Sequence, residues 1–327
     1  MTAVFSTTLQ QMLGFFALML VGFLLAKRKI LPQGADRVMS KLETTVFLPA
    51  LTFTTFAKNC TVENLKQKGV FFAFGIGFLA LASVLAVFLA KLFVPKKEYL
   101  RGIYRYSFII ANYGYMGNAL VLGLFGDEAL FDYMMFTQPF SIFIYTYGVL
   151  MLDPGTGGKG VRWKSLFNPS LIGLLCGMIV GLLPFSFPSS LPDAMAFLPA
   201  ALDAAKGCMS PVAMLLTGFV VGSFPVRQLL GEKKVYFAAL LRLIALPAFF
   251  MLVLKGVLHV IPIGEENAAV LSRSLLCCMC MPMGLNTVVF PASFGADTRP
   301  GAGMALISNV MGLATIPLMF LLFGISV

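Results

Sequence analysis

Charged residues are scarce in this chain. They make up 12% of its 327 residues, whereas hydrophobic residues make up 59% and the mean hydropathy is +0.90. Soluble domains carry about twice that share of charge. An apolar surplus of this size exceeds what a soluble core can bury, so lipid must be the solvent for much of the surface. The scarcity of charge excludes an ordinary soluble domain and indicates an integral membrane protein.

Histidine is almost absent as well, and this excludes several kinds of chemistry. The single histidine, His259, lies at the end of an apolar run, so it is a poor candidate for a pH switch at membrane depth. Intramembrane enzymes need a Ser/Lys, Asp/Asp or His/Glu cluster inside the membrane, and the apolar runs contain none. We therefore expect neither an enzyme nor a cofactor nor a metal site.

The usual signs of a processed, disulfide-bonded secreted protein are also missing. Three of the six cysteines are isolated, and the other three lie within one apolar run at positions 277 to 280. Such small, soft residues commonly pack helices together. The N-terminus has neither a basic segment nor a small-residue cleavage site, so we expect the first apolar run to be retained as a span.

What the chain does contain is a series of apolar runs of about twenty residues, the length of a membrane-spanning helix. They predict ten transmembrane helices, near residues 5–26, 38–57, 70–93, 102–125, 130–151, 168–187, 196–222, 235–258, 268–294 and 303–325. The longest connector, Asp153–Ser170, is rich in glycine and charge. We expect five helices in residues 1–152, a connector at 153–167, and five helices in residues 168–327.

The basic residues indicate the orientation. The net charge of +10 comes from residues scattered between apolar runs, so we expect no nucleic-acid partner. Those after odd-numbered spans are Lys27, Arg28, Lys29, Arg37, Lys91, Lys96, Lys97, Arg101, Lys159, Arg162, Lys164, Arg227, Lys233, Lys234 and Arg299. Those on the opposite side are Lys58, Lys66, Lys68 and Lys255. The positive-inside rule puts the first set and the connector in the cytoplasm and both termini outside.

The two halves resemble each other in order along the chain. Val46–Phe56 in span two resembles Cys208–Phe219 in span seven, and each segment contains a proline. Tyr115–Glu128 in span four resembles Pro282–Asp297 in span nine. Because each half has an odd number of spans, related halves must be inverted relative to each other. An inverted repeat is the best explanation of the similarity.

A helix-breaking segment occurs once in each half. Span four contains "NYGYMGN" (Asn112–Asn118), and span nine contains "MPMGLNT" (Met281–Thr287). Unwinding a helix in lipid costs several kcal/mol for each unsatisfied backbone group, so it is tolerated only where protein or a wet cavity covers the backbone. A pair of packing kinks is the alternative. Breaks at corresponding positions of an inverted repeat favour a transport site.

The chemistry of the breaks favours an anion. Each break offers the N-terminus of a half-helix, near Gly117 and Gly284, and such an end carries about half a positive charge. Neutral hydrogen-bonding side chains accompany them: Asn112, Asn118, Asn286 and Thr287. Neither break contains Asp, Glu, Lys or Arg. A site built from dipoles and amides suits a small anion, whereas cation exchange normally needs a buried carboxylate.

The two motifs "NYGYMGNAL" and "MPMGLNTVVF…FGAD" resemble the crossover signatures of the auxin efflux carrier family. That family contains plant auxin exporters and bacterial permeases for malate, malonate and related organic acids. The short connector is similar to that of the bacterial members, which implies a bacterial inner (plasma) membrane protein. The resemblance implies the fold of bile-acid symporters and sodium/proton antiporters. In that fold spans one, two, six and seven form a scaffold, and spans three to five and eight to ten form a domain that moves as an elevator.

The resemblance also assigns site residues and partners. It transfers the family's crossover asparagines and proline to Asn112, Asn118, Pro282 and Asn286, although span four has no proline at its break. Gln138, Tyr145 and Asn309 complete the pocket or merely join helices. The predicted substrate site is Asn112, Tyr113, Gly114, Gly117, Asn118, Gln138, Pro282, Gly284, Asn286, Thr287 and Asn309. The expected partners are a small organic anion, the lipid bilayer, a coupling proton or sodium ion, and a second copy of the chain in a homodimer.

Charged residues inside spans are the remaining candidates. Lys41 and Glu43 in span two and Asp203 and Lys206 in span seven are candidates for a gate or supporting site, with snorkelling or local pairing as the alternative. Asp132 is expected at a hydrated helix end. Arg105 and Arg273 are expected to reach the membrane surface, with contact to a substrate anion as the alternative.

Two transport functions remain open. The leading hypothesis is a secondary transporter of small organic anions, either malate-like or malonate-like dicarboxylates or auxin-like aromatic acids, with an elevator mechanism. The alternative is a sodium- or proton-coupled symporter of the bile-acid type. A membrane receptor is less favoured because the chain contains no appended signalling domain.

Overall fold

The computed structural model describes residues 2–155, 167–184 and 187–325. The regular structure in these ranges is entirely helical: no β-strand occurs there, and an isolated β-bridge joins Ala111 to Met283. The prediction of an all-α protein is therefore confirmed. Most of the predicted connector, with Lys159, Arg162 and Lys164, lies outside the described residues.

Helices occur in each segment that was predicted to span the membrane. Their bounds are α1 (Thr2–Lys27), α2 (Ala35–Leu42), α3 (Leu48–Asn59), α4 (Val62–Phe93), α5 (Glu98–Ile109), α6 (Asn118–Phe143), α7 (Val149–Met151), α8 (Pro169–Leu182), α9 (Phe197–Gly222), α10 (Val226–Leu229), α11 (Lys233–Leu240), α12 (Leu246–Val260), α13 (Glu265–Met279), α14 (Asn286–Ser293) and α15 (Arg299–Leu322). Wider π-helical turns lie at Glu43–Phe47, Tyr113–Gly117, Ile144–Gly148 and Leu241–Ala245, and a 3₁₀ turn lies at Asp193–Met195.

Local chemistry explains where the observed ends differ from the predicted ones. α4 begins at Val62 rather than at residue 70, because the Thr61 hydroxyl caps it by accepting the backbone N–H of Asn64 at 3.1 Å. α8 ends at Leu182 rather than at residue 187, just before Pro184, which disfavours helix at the residue preceding it. α6 is interrupted at Gly126, whose φ of 84° separates a first arm in span four from a second arm in span five.

The surface fits a lipid environment. Among the described residues, five helical stretches are long and apolar enough to cross a membrane: Val4–Lys27, Val62–Phe93, Asp193–Gly222, Lys233–Val260 and Arg299–Leu322. Large apolar side chains point outward along them, such as Phe88 (65% exposed) and Leu92 (77%). Exposed apolar surface of this kind requires an apolar solvent. The chain is therefore an integral membrane protein.

Glycine brings the backbones of α1 and α9, and those of α3 and α8, into contact. α1 lies on α9, where a Cβ added at Gly22 would collide with the Leu215 carbonyl and one added at Gly218 with the Met19 carbonyl. α8 lies on α3, where a Cβ at Gly177 would come within 2.5 Å of the Phe53 carbonyl oxygen. Small residues let membrane helices approach to backbone contact. We call α1, α3, α8 and α9, together with α2, the glycine-packed group.

The remaining long helices form a second group around the two breaks. α4 packs on α5 and α6, α13 packs on α6 and α12, and α15 packs on α11 and α14. Large side chains fill this group, among them Tyr106, Tyr133, Phe136 and Phe320, all fully buried. We call these helices the crossover group, because it contains both interrupted segments.

Glycine contact in the first group yields a stability prediction. Gly218→Ala puts a methyl group against the Met19 backbone and should destabilise the protein by about 1–3 kcal/mol through overpacking. Gly207→Ala is the matched control on the same helix, because its added Cβ meets nothing within 4 Å. Thermal unfolding in detergent should show a lower melting temperature for Gly218→Ala alone. Equal melting temperatures would contradict the glycine contact.

Candidate functional site

The first break lies between α5 and α6. Ile110 is extended (φ −108°, ψ 118°), and Asn112 has a non-helical conformation (φ −78°, ψ 43°). The Asn112 carbonyl then accepts the backbone N–H groups of Met116 at 3.0 Å and Gly117 at 3.1 Å. The new helix therefore begins with the π-helical turn Tyr113–Gly117, and the expected start near Gly117 was wrong by about one turn.

Gly117 serves a different purpose from the one expected of it. A Cβ there would collide with the Tyr133 hydroxyl, which donates to the Tyr113 carbonyl at 3.1 Å. The missing side chain lets the second arm of α6 pack against the break. Gly117 therefore allows close packing, and the extended residues before Tyr113 make the interruption.

The second break lies between α13 and α14. α13 ends at Met279, and α14 begins at Asn286, within two residues of the start expected near Gly284. The segment contains Pro282, which has no N–H to donate to a helix. The backbone N–H of Thr287 and its hydroxyl both donate to the Gly284 carbonyl, at 3.4 and 3.0 Å. Both predicted breaks are present.

The two breaks meet. The backbone N–H of Asn112 donates to the Pro282 carbonyl at 2.8 Å, beside the bridge between Ala111 and Met283. The backbone N–H of Met283 donates in turn to the Ser308 hydroxyl of α15 at 3.0 Å. Each interrupted segment thus supplies partners for backbone groups that lipid would leave unsatisfied.

A cavity of about 90 Å³ lies against this crossing, large enough for several water molecules or a small ligand. Seven predicted site residues line it: Asn112, Tyr113, Gly114, Asn118, Gln138, Gly284 and Asn286. Its wall continues through Leu48 and Thr52 of α3 to Asn168 and Ser170 at the start of α8. The cavity therefore runs from the crossing, between the two helix groups, to the end of the bundle next to the connector, which we call the connector end.

The described cavity wall combines polar groups with apolar and aromatic side chains, and it carries no formal charge because the described lining residues include no Asp, Glu, Lys, Arg or His. The Asn286 amide donates to the Tyr106 hydroxyl at 2.8 Å, and the Tyr113 and Ser141 hydroxyls are 2.9 Å apart. The side-chain amide oxygen (Oδ1) of Asn118 is buried without a hydrogen-bond partner among the described residues. The wall thus offers amides, hydroxyls and backbone groups to a ligand.

A family model described as a membrane transport protein matches residues 7–320 of the chain. The chain belongs to the auxin efflux carrier family. It is a family of membrane transport proteins and not of enzymes. No curated protein matches the chain.

Four predicted site residues of this family member do not line the cavity. Gly117 packs on Tyr133, and Thr287 caps α14. The Pro282 ring faces Gly312, where an added Cβ would come within 3.0 Å of it. Asn309 bonds to the Ala305 carbonyl of its own helix at 2.8 Å. These residues lie around the crossing, where they are placed to support the backbone rather than to touch a ligand.

The four gate candidates do not form one cluster. Asp203 pairs with Lys58 of α3 at 3.6 Å, and Lys206 pairs with Asp127 at the start of the second arm of α6. Both pairs lie at the end of the bundle opposite the connector. Lys41 and Glu43 lie near the connector end, with Lys41 exposed and Glu43 completely buried.

The predicted location of Asp132 is wrong. Asp132 was expected at a hydrated helix end, but it is 7% exposed and pairs with Lys68 of α4 at 3.5 Å. The hydrophobic pattern around it gave no sign that α4 would cover it. Arg273, which was expected to reach the surface, lies over the ring of Phe125 at 4.7 Å.

Sequence reasoning also missed several contributors. Tyr106 and Ser308 support the breaks, and Thr52 and Ser141 line the cavity, although all four lie outside the two motifs. Arg242 lies in the π-helical turn between α11 and α12, is 0% exposed, and donates to the Met279 carbonyl at 2.7 Å. Its position as a lone arginine inside an apolar run is the sequence feature that could have identified Arg242.

The bond from Met283 to Ser308 yields a second stability prediction. Ser308→Ala leaves the buried N–H of Met283 without its acceptor, which should cost about 1–3 kcal/mol. Ser272→Ala is the control, because that hydroxyl donates only to the Ala268 carbonyl of its own helix. Thermal unfolding in detergent compares the two. A loss no larger than that of the control would show that the crossing does not need this acceptor.

Proposed function

We propose that this family member is a secondary transporter that binds small organic anions at the crossing of its two broken helices. The observation that carries the proposal is the 2.8 Å hydrogen bond between the breaks, beside a neutral polar cavity. Unwound backbone is costly in a membrane, so its presence next to a cavity favours a substrate site.

The helix ends favour an anionic substrate. The helices that follow both breaks begin at the crossing, at Tyr113 and at Asn286, so the positive ends of their dipoles face the cavity region. Free backbone N–H groups at such ends bind carboxylates well. The amides of Asn112, Asn118 and Asn286 add neutral hydrogen bonds without an ion pair to slow release.

The cavity wall favours an aromatic acid over a dicarboxylate. Tyr113, Tyr115 and Tyr145 line it, together with Leu48 and Leu171. An apolar and aromatic wall can cover the body of a substrate whose one carboxylate lies at the crossing. A second carboxylate would face the same wall without a cationic partner, at a desolvation cost.

The packing supports an elevator mechanism. We take the glycine-packed group as the scaffold and the crossover group as the moving domain, with the two halves of the chain as inverted five-helix repeats. The cavity lies between the groups and reaches the connector end through Asn168 and Ser170. With the connector in the cytoplasm, as the basic residues indicate, this is an inward-facing state with both termini outside.

Substrate flux tests the proposal. Reconstituted protein should transport an auxin-like aromatic acid or a malonate-like acid, and Asn286→Ala should reduce flux at least about tenfold through loss of hydrogen bonds at the crossing. Asn267→Ala is the matched control, because its amide donates to the Ile263 carbonyl at the far end of α13. Absence of carboxylate flux with intact protein, or equal loss in both variants, would count against the site.

The ion pairs test the elevator mechanism. Lys206 and Asp127 join the two helix groups, whereas Lys58 and Asp203 both lie in the glycine-packed group. If the groups move apart in each cycle, Lys206→Met should change the transport rate by up to about fivefold, the value of a pair of about 1 kcal/mol. Lys58→Met should leave the rate nearly unchanged. Equal effects of the two substitutions on flux would contradict movement between the groups.

Proton-coupled symport is the second candidate, and Glu43 favours it. Glu43 is 0% exposed, and neither carboxylate oxygen has a hydrogen-bond partner among the described residues. A carboxylate buried in this way is far more stable when it carries a proton. A proton that leaves when the site opens would couple flux to the proton gradient.

Gradient-driven flux distinguishes the coupled carrier from the uncoupled one. A proton gradient should accelerate uptake by the wild type but not by Glu43→Gln, which mimics the protonated form. Glu63→Gln, an exposed substitution at the start of α4, is the control. A wild-type uptake rate that does not change with the proton gradient would exclude this coupling. Faster uptake in a sodium gradient would favour sodium as the coupling ion instead.

A further inference from the structure

Arg242 places a buried positive charge next to the second break. Its guanidinium is completely buried and donates through Nη1 to the Met279 carbonyl, the last residue of α13 before the second break. Nε and Nη2 have no hydrogen-bond partner among the described residues. An arginine side chain stays protonated at neutral pH, so this position holds a positive charge.

Among the residues that the structure describes, no carboxylate lies near enough to balance that charge. The ionisable groups that act on Arg242 are the thiols of Cys278 and Cys280 and the phenol of Tyr133, all neutral at pH 7. The sequence contains no Asp or Glu within 233–264, 267–296 or 298–327, which cover α11 to α15 except for the first two residues of α13. Ion pairing, the usual reason for a buried arginine, is therefore not the explanation.

Arg242 is connected to both breaks through its neighbours. It bonds to Met279 at the second break, and its neighbour Tyr133 donates to the Tyr113 carbonyl at the first break. The four half-helix ends at the crossing carry about half a charge each, two positive and two negative. A ligand in contact meets the positive ends, but at longer range the four charges roughly cancel. The guanidinium then leaves the crossing with about one net positive charge in surroundings that screen it poorly.

We propose that Arg242 determines the charge specificity of the crossing: its field makes the cavity attract anions and repel cations, without contact between Arg242 and the ligand. The inference rests on the proposed anion site and names the residue responsible for its selectivity. Arg242 does not line the cavity, so it acts on the ligand through the electric potential alone.

The potential can be measured without a substrate. Gly114 lines the cavity, and a Cβ added there meets nothing within 4 Å, so Gly114→Cys places a thiol in open space beside the first break. The exposed Cys176 and Cys208 are replaced by alanine in detergent-solubilised protein. The rate of modification by an anionic methanethiosulfonate (sulfonatoethyl) is divided by the rate with a cationic one (trimethylammonioethyl). Ala194→Cys, at an exposed position, supplies the reference ratio.

We expect the normalised ratio to exceed one when Arg242 is present and to fall at least about tenfold in Arg242→Gln. A purely structural arginine would leave the ratio unchanged in a folded Arg242→Gln protein, and that result would overturn the inference. If Arg242→Gln does not fold, a normalised ratio at or below one in the Gly114→Cys protein with Arg242 intact would also overturn the inference.

Failure of this inference and failure of the proposed function give different results. Preference for the anionic reagent without flux of any carboxylate would contradict the transport proposal and leave the role of Arg242 intact. Carboxylate flux with no preference between the reagents at Gly114→Cys would contradict the role of Arg242 and leave the transport proposal intact.

Discussion

The hydrogen bond from the Asn112 N–H to the Pro282 carbonyl is the interaction on which the rest of the site depends. A membrane interior supplies no water to an unwound backbone, so an isolated break would leave several groups unsatisfied. Here each break supplies partners for the other, and Ser308 of α15 supplies one more. Because the breaks support each other, both segments can be non-helical at the same place, and the helices that follow can direct their N-terminal ends toward one cavity.

The two helix groups contribute different features to the site. Gly22, Gly177 and Gly218 allow backbone contact in the first group, which favours a rigid unit. The second group packs large aromatic side chains around the crossing, and Gly117 opens just enough space for Tyr133 to reach the broken backbone. The cavity lies where a movable group and a fixed group would meet, so movement between them would change which end of the bundle it reaches.

Particular residues show what the sequence could predict. Apolar runs of membrane length and the placement of glycine, proline and asparagine are local properties, so the helical segments, both breaks and seven cavity-lining residues were found. The π-helical turn Tyr113–Gly117, which leads into α6, was not predicted because the extended residues before Tyr113 depend on the partner break and not on a local signal. Asp132 was misplaced because Lys68 covers it in the folded packing. The cavity does not reach Thr287 or Asn309, whose side chains donate to backbone carbonyls. Arg242 was overlooked because its significance comes from Met279, which is distant in the chain.

The central claim is that the crossing holds the carboxylate of a transported acid. A structure of the reconstituted protein determined with a transported aromatic acid present tests it most directly. The account predicts ligand density in the cavity, with its carboxylate within hydrogen-bonding distance of the Asn286 amide and the backbone N–H groups at the crossing. Ligand density away from the crossing, or continuous helix through either break, would contradict it.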